Sequence, residues 1–437
     1  MIRLPRGLSW ISLSAKSWEG WGMGSEWQQF CLADAGSIVT GKTPRGGIPE
    51  FEGSDVPFVT PPDFNGSMWI ERANRSISEL GAQSVKGSII PRCSVLVTCI
   101  GSDMGKAALT ASRCVTNQQI NAVLVDETKF CPEFIYYNLS LRKDEIRGLA
   151  GGSAQPILNK SAFSQIRFWA PPLSEQRTIA TALRPINDRI ALLRETNATL
   201  EAIAQALFKS WFVDFEPVHA RARGEQPAGL APEVAALFPD SFEEFELGMV
   251  PQGWAVGTLS EICSISSGKR PPERSDELSD ECHIPLYGGA GLMGYTSASL
   301  FETPRIVTGR VGTLGKVHVA YPPFWASDNV LVLTPAEDSI FAFCLHWVSA
   351  IDVHALNRGS SQPLLTQKDL GAQLGVIPLP EVLVQFEATV SPLYKQIRAN
   401  LEQAQTLANL RDTLLPRLIS GQLRLPDAEA MVSEAQA

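Results

Sequence analysis

The sequence predicts an α+β protein organised as a tandem repeat, in which two similar mixed α/β domains are separated by two long antiparallel coiled-coil helices. Three observations lead to this fold class. One long stretch has an uninterrupted heptad pattern, the pattern returns 207 residues later, and a block of strand-like segments with matching borders precedes each copy. A pseudo-two-fold relation follows, because each half would contribute one domain and one helix.

The first long helix is predicted within residues 171–216. Its apolar positions are spaced alternately by four and three residues, which is the a/d seam of a coiled coil and favours a single partner helix. A core helix of an ordinary domain is the alternative, but the pattern is about three times as long as an average helix. The seam consists of Ile179, Leu183, Ile186, Ile190, Leu193, Asn197, Leu200, Ala204, Leu207 and Trp211.

The second long helix, within residues 378–423, repeats the first. The approach to the helix is repeated too, since Gln155-Pro156 returns as Gln362-Pro363. Each helix contains one proline, Pro185 or Pro392, which should either kink the helix or begin a long helix after a short one. The matching seam positions are Phe386, Val390, Leu393, Ile397, Leu407, Leu414 and Leu418.

Each seam contains one asparagine. Antiparallel pairing about the midpoint of the seam places Asn197 opposite Asn400. A buried amide is costly unless it is hydrogen-bonded, and two facing amides can bond to each other. We therefore expect this pair to fix the register of the helices. The alternative is that one or both asparagines tilt towards solvent, because Leu401 competes for the position beside Asn400.

The blocks before the helices, residues 26–170 and 254–377, read as short strands separated by turns. Trp27 and Trp254 each precede a Gly-Lys pair by the same distance, at Gly41-Lys42 and Gly268-Lys269. Further on, Leu96–Lys106 (LVTCIGSDMGK) resembles Ile306–Lys316 (IVTGRVGTLGK). In the first block we expect a strand at Ile120–Val125 and a helix at Pro132–Arg147. The remaining segments are an extension (1–25), a linker (217–253) and a tail (424–437).

Charge and composition limit the function only weakly. The net charge is −9, and the first 170 residues are mildly basic while residues 171–250 carry 7 basic and 12 acidic groups. Nucleic acid is neither required nor excluded, but we expect modest DNA affinity for the chain alone. The eight cysteines form no C-x-x-C pair and the five histidines do not cluster, which predicts reduced thiols in the cytoplasm and no metal site. No apolar run is long enough for a membrane helix.

Two motifs suggest catalysis, and we reject both. Gly36–Thr43 matches the P-loop pattern, but Pro44 and Gly46 prevent the helix that a P-loop needs, and the second copy does not keep the pattern. Asp103 with Glu127 and Lys129 resembles a nuclease triad without a counterpart in the second block. A stand-alone nuclease or ATPase stays open as an alternative function, as does a purely structural coiled-coil scaffold.

Several strings resemble the specificity (S) subunit of type I restriction–modification systems. They are LFKSWFVDFEPV (Leu207–Val218), LFPDSFEEFELGMVPQGW (Leu237–Trp254), LLPRLISGQL (Leu414–Leu423), PPLSEQR (Pro171–Arg177) and the two G-S-x-Q-P segments. The resemblance implies two target recognition domains, 26–170 and 254–377, each reading half of a bipartite DNA sequence in phage defence. It also implies two spacer helices on which methyltransferase (M) subunits dock, probably two, with restriction (R) subunits in the full complex.

The resemblance implies no catalytic residue, cofactor or metal for this chain. Readout of bases needs Arg, Lys, Asn or Gln on base edges, and phosphates attract lysine. Loops that match between the two blocks supply the candidates for DNA binding. These are Lys42, Ser102, Lys106, Asn117, Gln118 and Gln155 in the first domain, and Lys269, Arg310, Lys316, Asn329 and Gln362 in the second.

Overall fold

The computed structural model describes residues 26–101, 103–150, 156–245, 248–359 and 362–423. The predicted extension (1–25) and the predicted tail (424–437) lie outside them. The chain divides into two compact units, Met1–Glu195 with Leu401–Ala437, and Thr196–Asn400. Each unit therefore contains one predicted domain and half of each long helix, and each is described by itself. Among the described residues, every helix is too short or too polar to span a membrane.

The first unit holds two sheets and a pair of strands. The elements are β1 (Gln28–Cys31), α1 (Leu32–Ala35), β2 (Gly36–Thr40), β3 (Glu52–Val59), β4 (Trp69–Ile70), β5 (Ser76–Ile77), α2 (Glu79–Ser84), β6 (Ile89–Ile90), β7 (Val95–Thr98), β8 (Ala107–Thr110), β9 (Cys114–Thr116), β10 (Ile120–Val125), α3 (Pro132–Ser140), α4 (Lys143–Gly148), α5 (Lys160–Ser164), β11 (Arg167–Ala170) and α6 (Leu173–Phe212). The main sheet has the order β2-β10-β7-β8-β4 and the second has β5-β3-β9-β6. Strands β1 and β11, at the two ends of the predicted domain, pair antiparallel.

The central strand β7 shows why this sheet lies inside the unit. All four of its residues are buried. Successive side chains point to opposite faces of a strand, so Val95 and Val97 pack in one cluster and Leu96 in another. The cluster around Val95 also contains side chains of α3 and of the long helices. An apolar run without alternation is the expected pattern for a strand covered on both faces.

The second unit repeats this plan. Its elements are the end of α6, α7 (Glu216–Ala222), α8 (Pro232–Ala235), β12 (Phe242–Phe245), β13 (Gly248–Pro251), β14 (Ala255–Thr258), α9 (Leu259–Ile262), β15 (Cys263–Ser267), β16 (Ile284–Gly288), β17 (Gly291–Thr296), β18 (Arg305–Gly309), β19 (Val317–Ala320), β20 (Trp325–Ala326), β21 (Val330–Pro335), α10 (Phe341–Ala350), α11 (Gln367–Gly371), β22 (Leu374–Ile377) and the beginning of α12 (Pro380–Ile419). The sheet β15-β21-β18-β19 corresponds to β2-β10-β7-β8, and the pair β14-β22 to β1-β11. The tandem repeat predicted from sequence is therefore present in the fold.

In each unit the long helices run antiparallel. In the second unit Asn197 bonds to Asn400, and the rings of Trp211 and Phe386 lie 5.6 Å apart. In the first unit Arg411 donates to Asn187, and Arg189 to Gln403. Most predicted seam residues are buried, although Leu200, Leu207 and Leu393 are only partly so.

Both helices continue through their prolines, so the alternative in which each proline begins a long helix after a short one is wrong. Pro185 lies inside α6 and Pro392 inside α12. Each proline removes one backbone hydrogen bond. Both rings lie on the exposed face, where water can hydrate the carbonyl that is left without a donor. The apolar seam on the opposite face stabilises the uninterrupted helix.

The predicted helix at Pro132–Arg147 is also wrong in part, because it is divided into α3 and α4. The break lies at Leu141-Arg142. Arg142 leaves the helical conformation, and its guanidinium donates to the carbonyl of Arg167 at 2.6 Å and to Glu145. This contact spans 25 residues, and helical periodicity carries no information about it.

Candidate nucleic-acid interface

One end of the main sheet in the first unit gathers four loop segments. The antiparallel register places Thr40 of β2 and Thr98 of β7 beside the first residues of β10. The segments that leave or enter the strands there, residues 41–43, 98–101 with 103–106, 116–120 and 156–158, are called loop cluster 1. Their counterparts in the second unit, residues 268–270, 309–316, 326–330 and 362–365, are called loop cluster 2.

Backbone hydrogen bonds hold loop cluster 1 together. The amide of Gly41 donates to the carbonyl of Ile120 at 3.0 Å, and that of Cys99 donates to Gln119 at 2.7 Å. The amide of Leu158 donates in turn to the carbonyl of Cys99 at 2.9 Å. The loops are thus fixed to one another independently of their side chains.

Loop cluster 2 is built by the same bonds. Gly268 donates to Val330 at 3.2 Å, Arg310 to Asn329 at 2.8 Å, and Leu365 to Arg310 at 2.9 Å. The frame of each cluster is therefore a property of the repeat, whereas the side chains on it are free to differ.

Glycine at the start of each Gly-Lys turn has a steric reason. A Cβ on Gly41 would lie 2.1 Å from the carbonyl oxygen of Asn117, and one on Gly268 would lie 2.1 Å from that of Ser327. Both neighbours are backbone atoms, which cannot move aside cheaply. The two copies keep glycine because two stretches of backbone touch there.

Seven of the eleven predicted DNA-binding residues lie on these two frames with polar groups near the surface. Lys42 and Gln118 are exposed and Asn117 is partly exposed in loop cluster 1. In loop cluster 2, Lys269, Asn329 and Gln362 are exposed and Arg310 is partly exposed. Ser102 and Gln155 lie outside the described residues.

The ammonium groups of the equivalent lysines Lys106 and Lys316 are bonded to other groups of the protein. The ammonium of Lys106 pairs with Asp103 at 2.9 Å and lines a cavity of about 400 Å³ with Arg411 and Asp412 of α12. The Lys316 ammonium donates to the carbonyl of Ala290 at 2.6 Å, in the turn between β16 and β17. DNA binding by these two lysines stays a prediction, and their contacts within the protein do not favour it.

Sequence reasoning missed the side chains that hold the candidates in place. Thr43 donates from its hydroxyl to Oε1 of Gln118 at 2.9 Å. Asn117 donates to Gln119 and accepts from the Gln119 amide, so its own amide group is engaged within the turn. Thr43 was visible only as the last residue of the rejected P-loop pattern. No pattern in the sequence distinguishes Gln119 from the residues beside it.

The residues that match a P-loop or a nuclease triad in sequence do not form either site in the structure. Gly36–Thr40 is strand β2, and residues 41–48, all of them described, contain no helix start. Lys129 pairs with Asp126 at 3.3 Å, while Asp103 pairs with Lys106. Within the described residues, no group of three or more His, Cys, Asp and Glu side chains could hold a metal ion. Burial raises the pKa of the Cys99 thiol, which lies within loop cluster 1, to about 11, so it stays protonated at neutral pH.

Known proteins resemble this chain over most of its length. A family model described as type I restriction modification DNA specificity domain matches residues 24–202 and 251–402, once in each half of the repeat. The MjaIX specificity subunit of Methanocaldococcus jannaschii is 27% identical over 92% of this chain and 94% of its own length. The HindI specificity subunit of Haemophilus influenzae is 37% identical over 33% of this chain and 32% of its own length.

Among solved structures, the S subunit of a type I restriction–modification system from M. genitalium superposes with a TM-score of 0.56 at 17% identity. The superposition covers 91% of this chain and 96% of the M. genitalium subunit. It shows that the two proteins share a fold. The family match spans well over half of the chain and both loop clusters. The chain belongs to the type I restriction–modification specificity subunits, the non-catalytic components that confer DNA sequence specificity.

Proposed function

We propose that the chain reads a bipartite double-stranded DNA sequence in the cytoplasm, with loop cluster 1 on one part and loop cluster 2 on the other. The observation that carries the proposal is the same hydrogen-bonded loop frame built twice on equivalent strands. Two copies of one surface suit a target with two parts. Different side chains on the two frames suit parts of different sequence.

The chemistry of the clusters supports contact with DNA. Exposed lysines at the Gly-Lys turns, Lys42 and Lys269, suit phosphate oxygens, which position a protein on the duplex. Exposed amides on neighbouring loops, Gln118, Asn329 and Gln362, suit the donor and acceptor pattern of base edges in the major groove. The proposal therefore assigns positioning to the turns and readout to the loops beside them.

The proposal also includes partners. Methyl transfer belongs to M subunits, two per chain, and ATP hydrolysis and cleavage to R subunits in the full complex. Large apolar side chains on the outer faces of the long helices support docking there. Leu192 and Ile203 on α6, and Val384 and Leu401 on α12, are each more than 40% exposed.

Exchange of one domain tests the proposal. Residues 27–165 would be replaced by the first domain of another specificity subunit, and the methylated sequence of a host expressing the chain with its M subunits would be read. We expect one half of the sequence to change and the other to stay. Exchange of residues 254–377 is the matched control and should change the other half. A change in both halves, or in neither, would overturn the modular reading.

A further inference from the structure

The two loop frames carry different residues at one equivalent position. The backbone of Cys99 donates to Gln119 and accepts from Leu158, while that of Arg310 donates to Asn329 and accepts from Leu365. The two frames also agree two residues further on, where Gly101 and Gly312 both have positive φ, +90° and +78°. Arg310 therefore occupies the position of Cys99, and not that of Ile100 as a constant offset between the two strings would have it.

The exchange changes the chemistry of the position. Cys99 is 2% exposed and packs in the core of the first unit. Arg310 is partly exposed, and its guanidinium has no hydrogen bond or ion pair within the described residues. The same frame thus holds a buried apolar group in one unit and an available cation in the other.

Arg310 differs from the other cations of loop cluster 2. The Lys316 ammonium is engaged by the carbonyl of Ala290. Lys269 and Arg270 are exposed on the outer turn. In Arg310 the backbone is held by hydrogen bonds on both sides, and the residue is only partly exposed. Less conformational freedom is lost when such a side chain binds, so its hydrogen bonds discriminate more sharply.

We propose that Arg310 is a specificity-determining residue of the second domain and reads one guanine of the DNA target. Its guanidinium would donate two parallel hydrogen bonds to O6 and N7 of that guanine in the major groove, the pairing that arginine geometry fits best. Gln362, whose Nε2 lies beside Gly312, and Asn329, whose carbonyl accepts from Arg310, present amides to neighbouring bases. The inference rests on the proposed function and adds one residue and one base to it.

The experiment uses the full chain assembled with its M subunits. Binding to duplexes carrying each single base-pair change in the second part of the target would be compared for wild type and Arg310→Ala, at one salt concentration. Wild type should lose about 5- to 150-fold in affinity when one G·C pair is changed. Arg310→Ala should bind the original target more weakly by a similar factor and no longer distinguish that pair. Discrimination in the first part of the target should be unchanged.

Arg310→Gln and Arg310→Lys separate a loss of base readout from a folding defect. They should fold normally, because the hydrogen bonds that hold the frame use only the backbone of residue 310. Both should keep the wild-type unfolding temperature, and both should lose the preference for guanine, Gln more completely. Arg274→Ala, which removes an arginine of the second domain that pairs with Asp276 outside loop cluster 2, is the matched control and should leave base discrimination intact. An equal loss of affinity for all sequences in Arg310→Ala would indicate a phosphate contact and overturn the inference, as would an unchanged methylated sequence. A wild-type complex without any bipartite preference would instead overturn the proposed function.

Discussion

The two seam asparagines satisfy each other between apolar layers. Asn400 donates from Nδ2 to Oδ1 of Asn197 at 2.8 Å, and Asn197 donates to the carbonyl of Ile397 at 3.2 Å. Gln396 donates to Oδ1 of Asn400 at 2.8 Å. Both asparagines are buried, whereas Leu401 is 55% exposed, so the alternative in which an asparagine tilts towards solvent is wrong. The predicted pair forms; that it fixes the register remains our proposal.

Single replacement of this pair should cost more than double replacement. Asn197→Leu or Asn400→Leu leaves one buried amide without its partner, which we expect to lower the free energy of unfolding by about 1–3 kcal/mol. The double variant removes both polar groups and should recover most of the loss. Urea unfolding measures the difference. Leu401→Asn, one position along, is the control and should change stability by less than about 0.5 kcal/mol. Additive single effects would contradict the pairing.

The Gly-Lys turns give a second prediction at the scale of one residue. Gly41→Ala and Gly268→Ala force a Cβ against backbone oxygen, so each should displace its own turn and weaken DNA binding by the complex with M subunits. We expect the defect to be confined to the half of the target read by that domain. Gly46→Ala, where a Cβ meets nothing within 4 Å, is the matched control. Equal binding by Gly41→Ala and Gly46→Ala would refute the steric argument.

At the scale of elements, each long helix is bonded to the corresponding helix of its domain. In the first unit Asn187 of α6 donates to the hydroxyl of Tyr137 in α3 at 2.8 Å. In the second, the Tyr394 hydroxyl of α12 lies 3.0 Å from Nε2 of His346 in α10. The positions correspond in the repeat although the residue types have changed. The connection between helices has therefore been retained while its chemistry was replaced.

Two buried histidines, His346 in this connection and His318 in β19, make the second unit sensitive to acid. Burial lowers the pKa of His346 to about 4, and burial with the nearby Lys316 lowers the pKa of His318 to about 4. Both imidazoles are neutral in the fold, but in the unfolded chain they take up protons near pH 6.5. The unfolded state thus binds more protons between pH 4 and 6.5, so stability is complete above that window and falls as the pH drops through it.

The pH dependence of urea unfolding would check this expectation. Each histidine should contribute a slope of at most about 1.4 kcal/mol per pH unit. His318→Gln and His346→Gln should each flatten the curve, whereas His283→Gln, at an exposed position, should not. A wild-type curve without slope in this window would contradict the burial of two neutral imidazoles.

Elements defined by local pattern were predictable, and those defined by distant contacts were not. The heptad pattern gave both long helices, and strand β10 coincides with the predicted Ile120–Val125. The division of α3 from α4 depends on Arg142 reaching Arg167. In the candidate site, repeat matching found the correct loops. It misplaced Arg310 by one position, because strand β18 is displaced by one residue from that match: Gly309 pairs with Val330 as Thr98 pairs with Ile120. The loop that follows is one residue shorter in the second unit, which restores the offset at Lys316.

At the scale of the whole molecule, charge sets the expected affinity for DNA. The chain carries a net charge of −9, so it is repelled by the negatively charged duplex. The small number of contacts from its lysines to phosphates offsets this repulsion only weakly. We expect weak binding by the isolated chain and much tighter binding once M subunits are assembled. Titration of a labelled duplex at matched salt measures both. Equal affinities would show that the loop clusters alone supply the binding energy.

The position of the asparagine pair also has an evolutionary consequence. Within the repeat, Asn197 corresponds to Ala404 and Asn400 corresponds to Leu193. If two first halves paired with each other in the same register, each Asn197 would meet a Leu193, and in two second halves each Asn400 would meet an Ala404. Either homodimer would bury two unpaired amides, whereas one first half and one second half bury none. If the repeat arose by duplication of one half, the two halves have since become partners for each other and poor partners for copies of themselves.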